Sequence, residues 1–317
     1  MIEVEGVTKN YGSLRAVGDV SFSIGKNEAL GLLGPNAAGK TTLMRIMTGY
    51  LPATSGSVRL EGLTIADNPV PFKRRMGYLP ENPPLYPEMT VRDYLHFAAE
   101  IKGVAGRDRR ARVDDAVEKT GLGDVANRLI GNISKGYKQR TGLAQALVHN
   151  PDVLILDEPT VGLDPKQIID IRNLIRELAK EHTILLSSHI LPEVSATCDR
   201  IVILNEGHVV AVDTQEELKR RVQGGDRLTV EVAGAAPEQI HKALAEVGNV
   251  ESVTDVETRG TSLKASMAYR RGADIRGDVF RKIVANNWTL LELSREAMSL
   301  EDVFLRLTRE EEVASDE

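Results

Sequence analysis

The nine residues from Gly34 to Thr42 constrain the fold of this chain more than any other segment. They read GPNAAGKTT and fit the pattern of a glycine, four residues of any type, then Gly-Lys and a serine or threonine. Gly34 and Gly39 permit the tight turns that aim backbone N–H groups inward as an anion nest. The apolar run 29–33 precedes the loop, and 42–47 indicate a helix. We therefore predict an α/β fold in which this loop joins a buried strand to a helix whose N-terminus meets phosphate.

The side chains of this loop suit a nucleoside triphosphate that binds together with a metal ion. The Lys40 ammonium supplies positive charge to the β- and γ-phosphates, and the Thr41 hydroxyl is placed to ligate Mg²⁺. ATP and Mg²⁺ are therefore the expected ligands. The expected nucleotide contacts in the loop are Gly34, Pro35, Asn36, Ala37, Ala38, Gly39, Lys40, Thr41 and Thr42.

Composition and charge exclude several classes of protein. The 317 residues are 42% hydrophobic and 27% charged, as in an ordinary globular protein. The net charge of −6, without a large basic block, disfavours a nucleic-acid partner. Cys198 is the only cysteine, so no intrachain disulfide can form, which suits a reducing compartment. No secretory signal is visible and no apolar run is long enough to span a bilayer, so we expect a cytoplasmic protein.

A pair of consecutive carboxylates follows the apolar run 153–156. Side chains alternate along a strand, so Asp157 and Glu158 point in different directions. Asp157 can hold Mg²⁺ through water, while Glu158 can face the γ-phosphate and orient the attacking water. The alternative is a strand followed by an ordinary acidic turn, and the nearby phosphate loop makes that alternative weak.

The pattern along the chain predicts two domains. Residues 1–222 combine short strands, the loop and a mostly helical part at about 88–150. After a break at Val222–Asp226, residues 226–310 follow the order β-α-β-β-α-β of a ferredoxin-like unit. A closing helix is predicted over Ser299–Arg309, and residues 311–317 form an acidic tail.

Three further short segments complete an ordered set of motifs. Ser134–Gln139 precedes a predicted helix, Gly162–Asp164 follows the carboxylate pair, and Ser188 and His189 end the next apolar run. With these motifs in this order, about residues 2–220 resemble the ATP-binding subunits of ABC transporters. The end of the second domain, which includes Leu300–Phe304, resembles that of the type-2 export class, which contains gliding-motility and drug-export ATPases.

The resemblance implies nucleotide contacts outside the phosphate loop. Tyr11 is expected to stack on adenine, and Val17 is expected to help pack that ring. Ser134 and Gly136 match the family signature, which binds the γ-phosphate of ATP held by the opposite subunit. Asp164 matches the loop that crosses the dimer interface. A hydroxyl, a glycine N–H and a positive helix end that converge on an anion give this assignment a physical basis.

The same resemblance implies the catalytic and metal-binding groups. Glu158 is the expected general base, His189 is expected to touch the γ-phosphate, and Lys40 is expected to stabilise its charge. The expected metal ligands are Thr41, Glu81 and Asp157.

Three positions depart from the family pattern. Ala37 replaces a glycine and costs on the order of 1 kcal/mol if this position needs a positive φ. Lys135 and Tyr137 replace a glycine and a glutamine in the signature, and the direction of Lys135 is open. Glu81 replaces a glutamine, so it can still bind Mg²⁺ but adds negative charge near ATP. These changes bear on the hydrolysis rate more than on nucleotide binding.

Taken as a whole, the resemblance implies an ABC-type P-loop ATPase core, with antiparallel β and helical subdomains, and a small C-terminal ferredoxin-like α+β domain. It implies a subunit that binds and hydrolyses ATP, closes head to tail as a homodimer or heterodimer, and energises the separate membrane permease of an exporter. The subunit is expected on the cytoplasmic face of the membrane.

The segment from Glu81 to Met89 is the expected contact with the permease. Its prolines make it a stiff loop, and Leu85, Tyr86 and Met89 give it an apolar surface. Two alternatives stay open. An ABC-type ATPase acting on DNA or ribosomes is disfavoured by the single cassette, the missing heptad arm and the negative net charge. A nucleotide-gated regulatory module, in which hydrolysis is minor, is kept open by Ala37 and Glu81.

Overall fold

The computed structural model describes residues 1–222, 226–270 and 272–296 of the chain. The chain divides into two compact units between Gln215 and Glu216, shortly before the predicted break. Across the described ranges, every helix is too short or too polar to serve as a membrane span. The predicted helix Ser299–Arg309 and the tail 311–317 lie outside the described residues.

In its described residues the first unit contains ten strands, seven α-helices and two short 3-10 helices, Gly123–Val125 and Ile130–Asn132. The strands are β1 (Ile2–Tyr11), β2 (Leu14–Ile24), β3 (Ala29–Leu33), β4 (Ser55–Leu60), β5 (Leu63–Thr64), β6 (Met76–Leu79), β7 (Val153–Asp157), β8 (Thr183–Ser188), β9 (Arg200–Asn205) and β10 (His208–Thr214). The helices are α1 (Lys40–Met47), α2 (Pro69–Arg74), α3 (Val91–Ile101), α4 (Gly106–Lys119), α5 (Lys135–Leu147), α6 (Pro165–Ala179) and α7 (Leu191–Thr197).

A six-stranded sheet in the order β10-β9-β3-β8-β7-β6 forms the centre of this unit. β9, β3, β8, β7 and β6 pair in parallel, and β10 pairs antiparallel with β9 at the edge. Every residue of β3, β7 and β8 is buried, as expected for strands covered on both faces. Because parallel strands end at the same edge, the residues that follow β3, β7 and β8 meet there.

An antiparallel sheet and a helical subdomain complete the first unit. The antiparallel sheet has the order β2-β1-β4-β5 and shares one hydrophobic core with α1 and the central sheet. Helices α3, α4 and α5 surround a core of their own. The Thr90 hydroxyl caps α3 by accepting the Asp93 N–H at 3.1 Å. Phe97 and Ile101 lie on the exposed face of α3, four residues apart, so Ile101 does not join the core.

In its described residues the second unit contains a four-stranded antiparallel sheet and, besides α8 at its start, two helices. After α8 (Gln215–Val222), its elements are β11 (Asp226–Ala233), α9 (Pro237–Ala245), β12 (Val250–Arg259), β13 (Ser262–Tyr269), α10 (Arg276–Ala285) and β14 (Thr289–Glu296). The sheet order is β12-β13-β11-β14, which is the ferredoxin-like arrangement that the sequence predicts. Apolar residues of both helices pack on one face of the sheet. The predicted fold class is confirmed.

Candidate active site

The loop between β3 and α1 lies along one side of a cleft of about 390 Å³. Gly39 has φ 98°, and a Cβ there would lie 2.4 Å from the Ala16 carbonyl oxygen, so only glycine fits. Ala37 has φ 67°, which is the strained case for an alanine. The residues that line the cleft are Ala16, Asn36, Ala37, Ala38, Gly39, Lys40, Thr41, Thr42, Glu81, Glu158, Val161 and His189.

Lys40 is the buried cation of this cleft. Its Nζ donates hydrogen bonds to the carbonyl oxygens of Gly34 at 2.7 Å and Pro35 at 3.0 Å. Glu158 Oε1 lies 3.6 Å from the same nitrogen. Burial lowers the pKa of Lys40 below its usual range, and the charges of Glu158, Asp157 and Glu81 partly oppose that shift. When a triphosphate binds, its charged oxygens would replace the two neutral carbonyl oxygens as hydrogen-bond partners of the Lys40 ammonium.

The side chains around Asp157 fit a bound Mg²⁺. The Thr41 hydroxyl lies 3.4 Å from Asp157 Oδ1, and the Ser187 hydroxyl donates to the same oxygen at 2.7 Å. Mg²⁺ in nucleotide sites takes one or two carboxylates together with phosphate oxygens and waters. A hydroxyl beside one buried carboxylate, with Glu81 lining the same cleft, is a donor set of this kind.

Glu158 and His189 form a contact pair at the edge of the same cleft. His189 Nδ1 lies 3.0 Å from Glu158 Oε2. Only 8% of Glu158 is exposed, whereas the His189 side chain is 40% exposed. Glu158 has φ 47°, a left-handed conformation that a non-glycine residue keeps only when its surroundings hold it. The pair therefore places one carboxylate oxygen towards Lys40 and the other towards an exposed imidazole.

Ser187 is a site residue that the sequence reasoning missed. It pairs directly with Asp157 in the register of β7 and β8. Its hydroxyl donates to Asp157 Oδ1 and accepts the Glu158 N–H at 2.9 Å, so it fixes both carboxylate residues. The sequence does contain a signal for this role, because Ser187 is a polar residue at the end of an apolar strand and next to the expected Ser188-His189 pair.

A second cleft, of about 300 Å³, contains Ser134, Gly136 and Asp164. Ser134 caps α5 by accepting the Tyr137 N–H at 3.4 Å, and Asp164 caps α6 by accepting the Gln167 N–H at 2.9 Å. Two helix N-termini therefore face this cleft.

Lys135, the first residue of α5, points away from this cleft. It is not among the residues that line the cleft. Its ammonium contacts the loop at Gly162, where a Cβ would lie 2.0 Å from Nζ. The direction of this side chain, which the sequence left open, is therefore towards the segment between the carboxylate pair and α6.

Both predicted adenine contacts lie outside the first cleft, and Gly34, Pro35 and the buried Asp157 do not line it either. Val17 is completely buried in the core, because side chains alternate along β2 and the neighbouring Ala16 faces the cleft instead. Tyr11 is 47% exposed, and its ring lies 5.4 Å from Lys9 Nζ. The first cleft thus brings together the loop, Glu81, Glu158 and His189.

The predicted permease contact has a different surface from the one expected. Leu85 and Met89 are partly buried against the core of the helical subdomain. Tyr86 is 45% exposed, and its ring contacts those of Phe97 at 5.7 Å and Tyr94 at 6.0 Å between centroids. Phe97, which the sequence reasoning missed, is therefore part of the exposed aromatic surface.

A phosphate-binding loop with a buried lysine, beside a carboxylate–histidine pair at the ends of parallel strands, defines an ATPase of the P-loop α/β class. The family model described as ABC transporter matches residues 17–161. The chain is 34% identical to the uncharacterized ABC transporter ATP-binding protein YxlF of Bacillus subtilis, over 97% of this chain and 99% of that protein. The chain belongs to this family of ABC transporter ATP-binding proteins, and it is an ATPase.

Other comparisons agree with this membership. The linearmycin resistance ATP-binding protein LnrL of Bacillus subtilis is 32% identical, over 97% of this chain and 98% of that protein. A solved dimeric structure, a post-hydrolysis state of the ATP-binding cassette MJ0796 bound to ADP and Pi, has a TM-score of 0.61 and 25% identity. It covers 68% of this chain and 98% of that chain.

Proposed function

We propose that this ATPase energises a separate membrane permease of an ABC exporter. The observation that carries the proposal is the contact of 3.0 Å between Glu158 Oε2 and His189 Nδ1, in the cleft that also holds Lys40. These groups are suited to hydrolysis, which needs an oriented water and stabilised phosphate charge rather than nucleotide binding alone. The resistance function named for a relative supports export.

The reaction uses the groups of the first cleft in distinct roles. Loop N–H groups and the Lys40 ammonium bind the triphosphate and hold its charge as the γ-phosphoryl group leaves. Glu158 accepts a hydrogen bond from the attacking water and acts as general base. His189 holds the Glu158 carboxylate through Nδ1, and its Nε2 is then available to the γ-phosphate. Thr41, Asp157 and Glu81 would hold Mg²⁺, which supplies charge neutralisation at the phosphates.

Two copies of the chain, or one copy and a paralogue, complete each site in this proposal. Ser134, Gly136 and Asp164 line the second cleft and share it with none of the loop residues. A head-to-tail pair brings the second cleft of one subunit to the nucleotide of the other. The dimeric cassette with ADP and Pi supports this arrangement by similarity. Tyr11 then has an exposed ring available to adenine.

The permease contact is proposed for the segment Glu81–Met89 together with Phe97. Exposed aromatic rings of Tyr86 and Phe97 supply an apolar surface for a helix of the partner. Binding there holds the subunit at the cytoplasmic face of the membrane. Residues 1–222 are the proposed ATP-binding domain, and residues 226–310 the accessory domain.

The experiment that tests the proposal is the Glu158→Gln variant. Glutamine keeps the size of the side chain but cannot accept a proton, so turnover falls by roughly 10²- to 10⁴-fold. ATP binding persists, and ATP-bound dimers accumulate because hydrolysis no longer separates them. The control is Glu206→Gln, an exposed glutamate that also has a positive φ, at 46°. Unchanged turnover in Glu158→Gln would reject Glu158 as the base.

A further inference from the structure

Glu193 is a buried carboxylate that does not line either cleft. It lies in the first turn of α7, and only 4% of the residue is exposed. Its Oε2 accepts hydrogen bonds from the Thr160 hydroxyl at 2.5 Å and the Ser188 hydroxyl at 3.2 Å. Its Oε1 lies 3.7 Å from a terminal nitrogen of Arg172 on α6. A carboxylate is buried in this way only with such partners, because burial without them is costly.

The two hydroxyls belong to the two segments that carry the catalytic pair. Thr160 follows Glu158 by two residues, and Ser188 directly precedes His189. The Ser188 oxygen also accepts the Ile190 N–H at 3.0 Å, so it fixes the backbone on the far side of His189. One oxygen of Glu193 thus connects the chain after Glu158 to the chain on both sides of His189.

Both members of the pair need such support. Glu158 has φ 47°, and a strained residue keeps its conformation only when neighbouring contacts hold it. The Ser187 hydroxyl holds its N–H at 2.9 Å, and the Thr160 contact holds the chain that follows. The His189 side chain is 40% exposed and makes its one side-chain hydrogen bond in the described structure to Glu158. Its position therefore depends on the backbone beside Ser188.

We propose that Glu193 is a positioning residue for ATP hydrolysis. It holds Thr160 and Ser188 at one oxygen, and so keeps Glu158 Oε2 and His189 Nδ1 within hydrogen-bond distance. The inference rests on the catalytic roles proposed for Glu158 and His189. Its chemistry is that of an acceptor for two hydroxyls, so the negative charge is not the essential property.

The alternative is that Glu193 serves only as a buried partner of Arg172. That contact is loose, at 3.7 Å, and the Arg172 Nε has no hydrogen-bond partner among the described residues. The two roles predict different results. A purely ionic role requires the charge of Glu193, whereas a positioning role requires the hydroxyl-accepting oxygen. Glutamine supplies the oxygen without the charge and therefore separates the two.

The test compares Glu193→Gln with Glu193→Ala in the full-length ATPase. Because a displacement of about 1 Å in a catalytic group costs up to 100-fold, Glu193→Ala should lower kcat by about 10- to 100-fold. KM for ATP should stay within about twofold, since loss of a group that acts on the chemical step lowers kcat selectively. Glu193→Gln should restore kcat to within about threefold of the unsubstituted protein if only the oxygen matters.

A second pair of variants keeps the test valid if Glu193→Ala folds poorly. Thr160→Val and Ser188→Ala each remove one hydroxyl and should each lower kcat by a smaller factor. Added to Glu193→Ala, Thr160→Val should not lower kcat further, because that contact is already gone, whereas Ser188→Ala also removes the contact with the Ile190 N–H. The control is Glu28→Ala, which removes a less buried carboxylate (15% side-chain exposure) that pairs with Arg200 at 3.0 Å and accepts the Gly25 N–H. That control should lower the thermal midpoint without a selective loss of kcat.

Three results would overturn the inference. The first is an unchanged kcat in Glu193→Ala. The second is a loss of kcat in Glu193→Gln as large as in Glu193→Ala. The third is a fall in kcat in Glu193→Ala that is no larger than the fall in Glu28→Ala at a matched loss of stability. Glu158→Gln is measured alongside. If that variant keeps full turnover, the proposed catalytic roles fail, and if it is inactive while Glu193→Ala is normal, only the positioning role fails.

Discussion

The two clefts of the first unit differ in the kind of positive charge that they offer. The first has a buried lysine, a loop of backbone N–H groups and carboxylates that can act on water or metal. The second has the N-termini of α5 and α6, which Ser134 and Asp164 cap, together with two cationic side chains, Arg140 and Lys166. Asp164 and Asp170 line the same cleft, Arg140 pairs with Asp170 at 3.3 Å, and a helix N-terminus carries only about half a positive charge, so this cleft is better suited to complete an anion site than to form one alone. In the proposed mechanism the first cleft therefore binds the nucleotide, and the second contributes further contacts to its γ-phosphate.

In the proposed mechanism neither cleft is a complete site. The two sets of lining residues have no member in common, although both lie in the same unit. If one nucleotide contacts both sets, as proposed, two chains must supply them. The alternative is that the second cleft has no part in hydrolysis and that each chain works alone.

Mixing two inactive variants gives the largest expected effect on this comparison. Lys40→Ala removes the buried cation of the first cleft, and Ser134→Arg fills the second, so each variant alone should lose nearly all turnover. A mixed dimer contains one site with both halves intact. An equimolar mixture should therefore recover roughly a quarter of normal activity if dimers form at random and sites act independently.

The control for this mixture is the same pair of substitutions in one chain, Lys40→Ala with Ser134→Arg, mixed with Lys40→Ala. No intact site can then form, and ATP hydrolysis should stay at background. A Ser134→Arg variant with normal turnover, or a mixture that recovers nothing although mixed dimers are detected by crosslinking, would contradict the shared site.

The first cleft was the more predictable of the two. Its glycine pattern and the apolar runs 29–33, 153–156 and 183–186 predict where parallel strands end, and the residues after those strands do meet. Local sequence carries this information because buried strands and tight turns have strong residue preferences. The same preferences made the β-α-β-β-α-β order of the second unit predictable.

The details that the sequence did not supply depend on contacts between distant segments. Ser187 binds Asp157 because of the register of β7 and β8, which the sequence does not state. Lys135 has several rotatable bonds, so its contact at Gly162 follows from packing rather than from its position in the signature. Phe97 is exposed and Leu85 is partly buried because of how α3 packs, although both are simply apolar in the sequence.

The next prediction concerns the connection between the clefts. Helix α5 begins at the second cleft. Just after the end of this helix, His149 Nε2 lies 3.1 Å from the carbonyl oxygen of Met76 on β6. The chain that follows β6 leads to Glu81 in the first cleft. Burial, with a smaller effect from Lys102, lowers the pKa of His149 to about 4. The unfolded imidazole binds a proton near pH 6.5 and the folded one does not, so stability is lost as the pH falls from about 6.5 towards 4. By pH 5 this should amount to about 2 kcal/mol at most.

The measurement is urea unfolding of the ATPase at pH 7 and pH 5, with His149→Gln as the test variant. The variant should lose much less stability between the two pH values than the unsubstituted protein does. His208→Gln, at an exposed histidine on β10, should leave that loss unchanged. Equal losses in all three proteins would mean that His149 is not buried in its neutral form, and the close packing between α5 and β6 would then be doubtful.

The smallest expected effect concerns the strained backbone of the loop in the first cleft. Ala37 has φ 67° and Ala38 does not have a positive φ, so the two neighbours should respond to glycine with opposite signs. Ala37→Gly relieves strain and should raise the free energy of unfolding by up to about 1 kcal/mol. The greater conformational entropy of glycine in the unfolded chain reduces this gain. Ala38, 3% exposed in the core, should lose roughly 1 kcal/mol when its methyl group is removed. Urea unfolding of both variants without nucleotide measures the difference. If both variants are destabilised to the same extent, Ala37 is not strained. The glycine that is usual at that position would then not raise the free energy of unfolding.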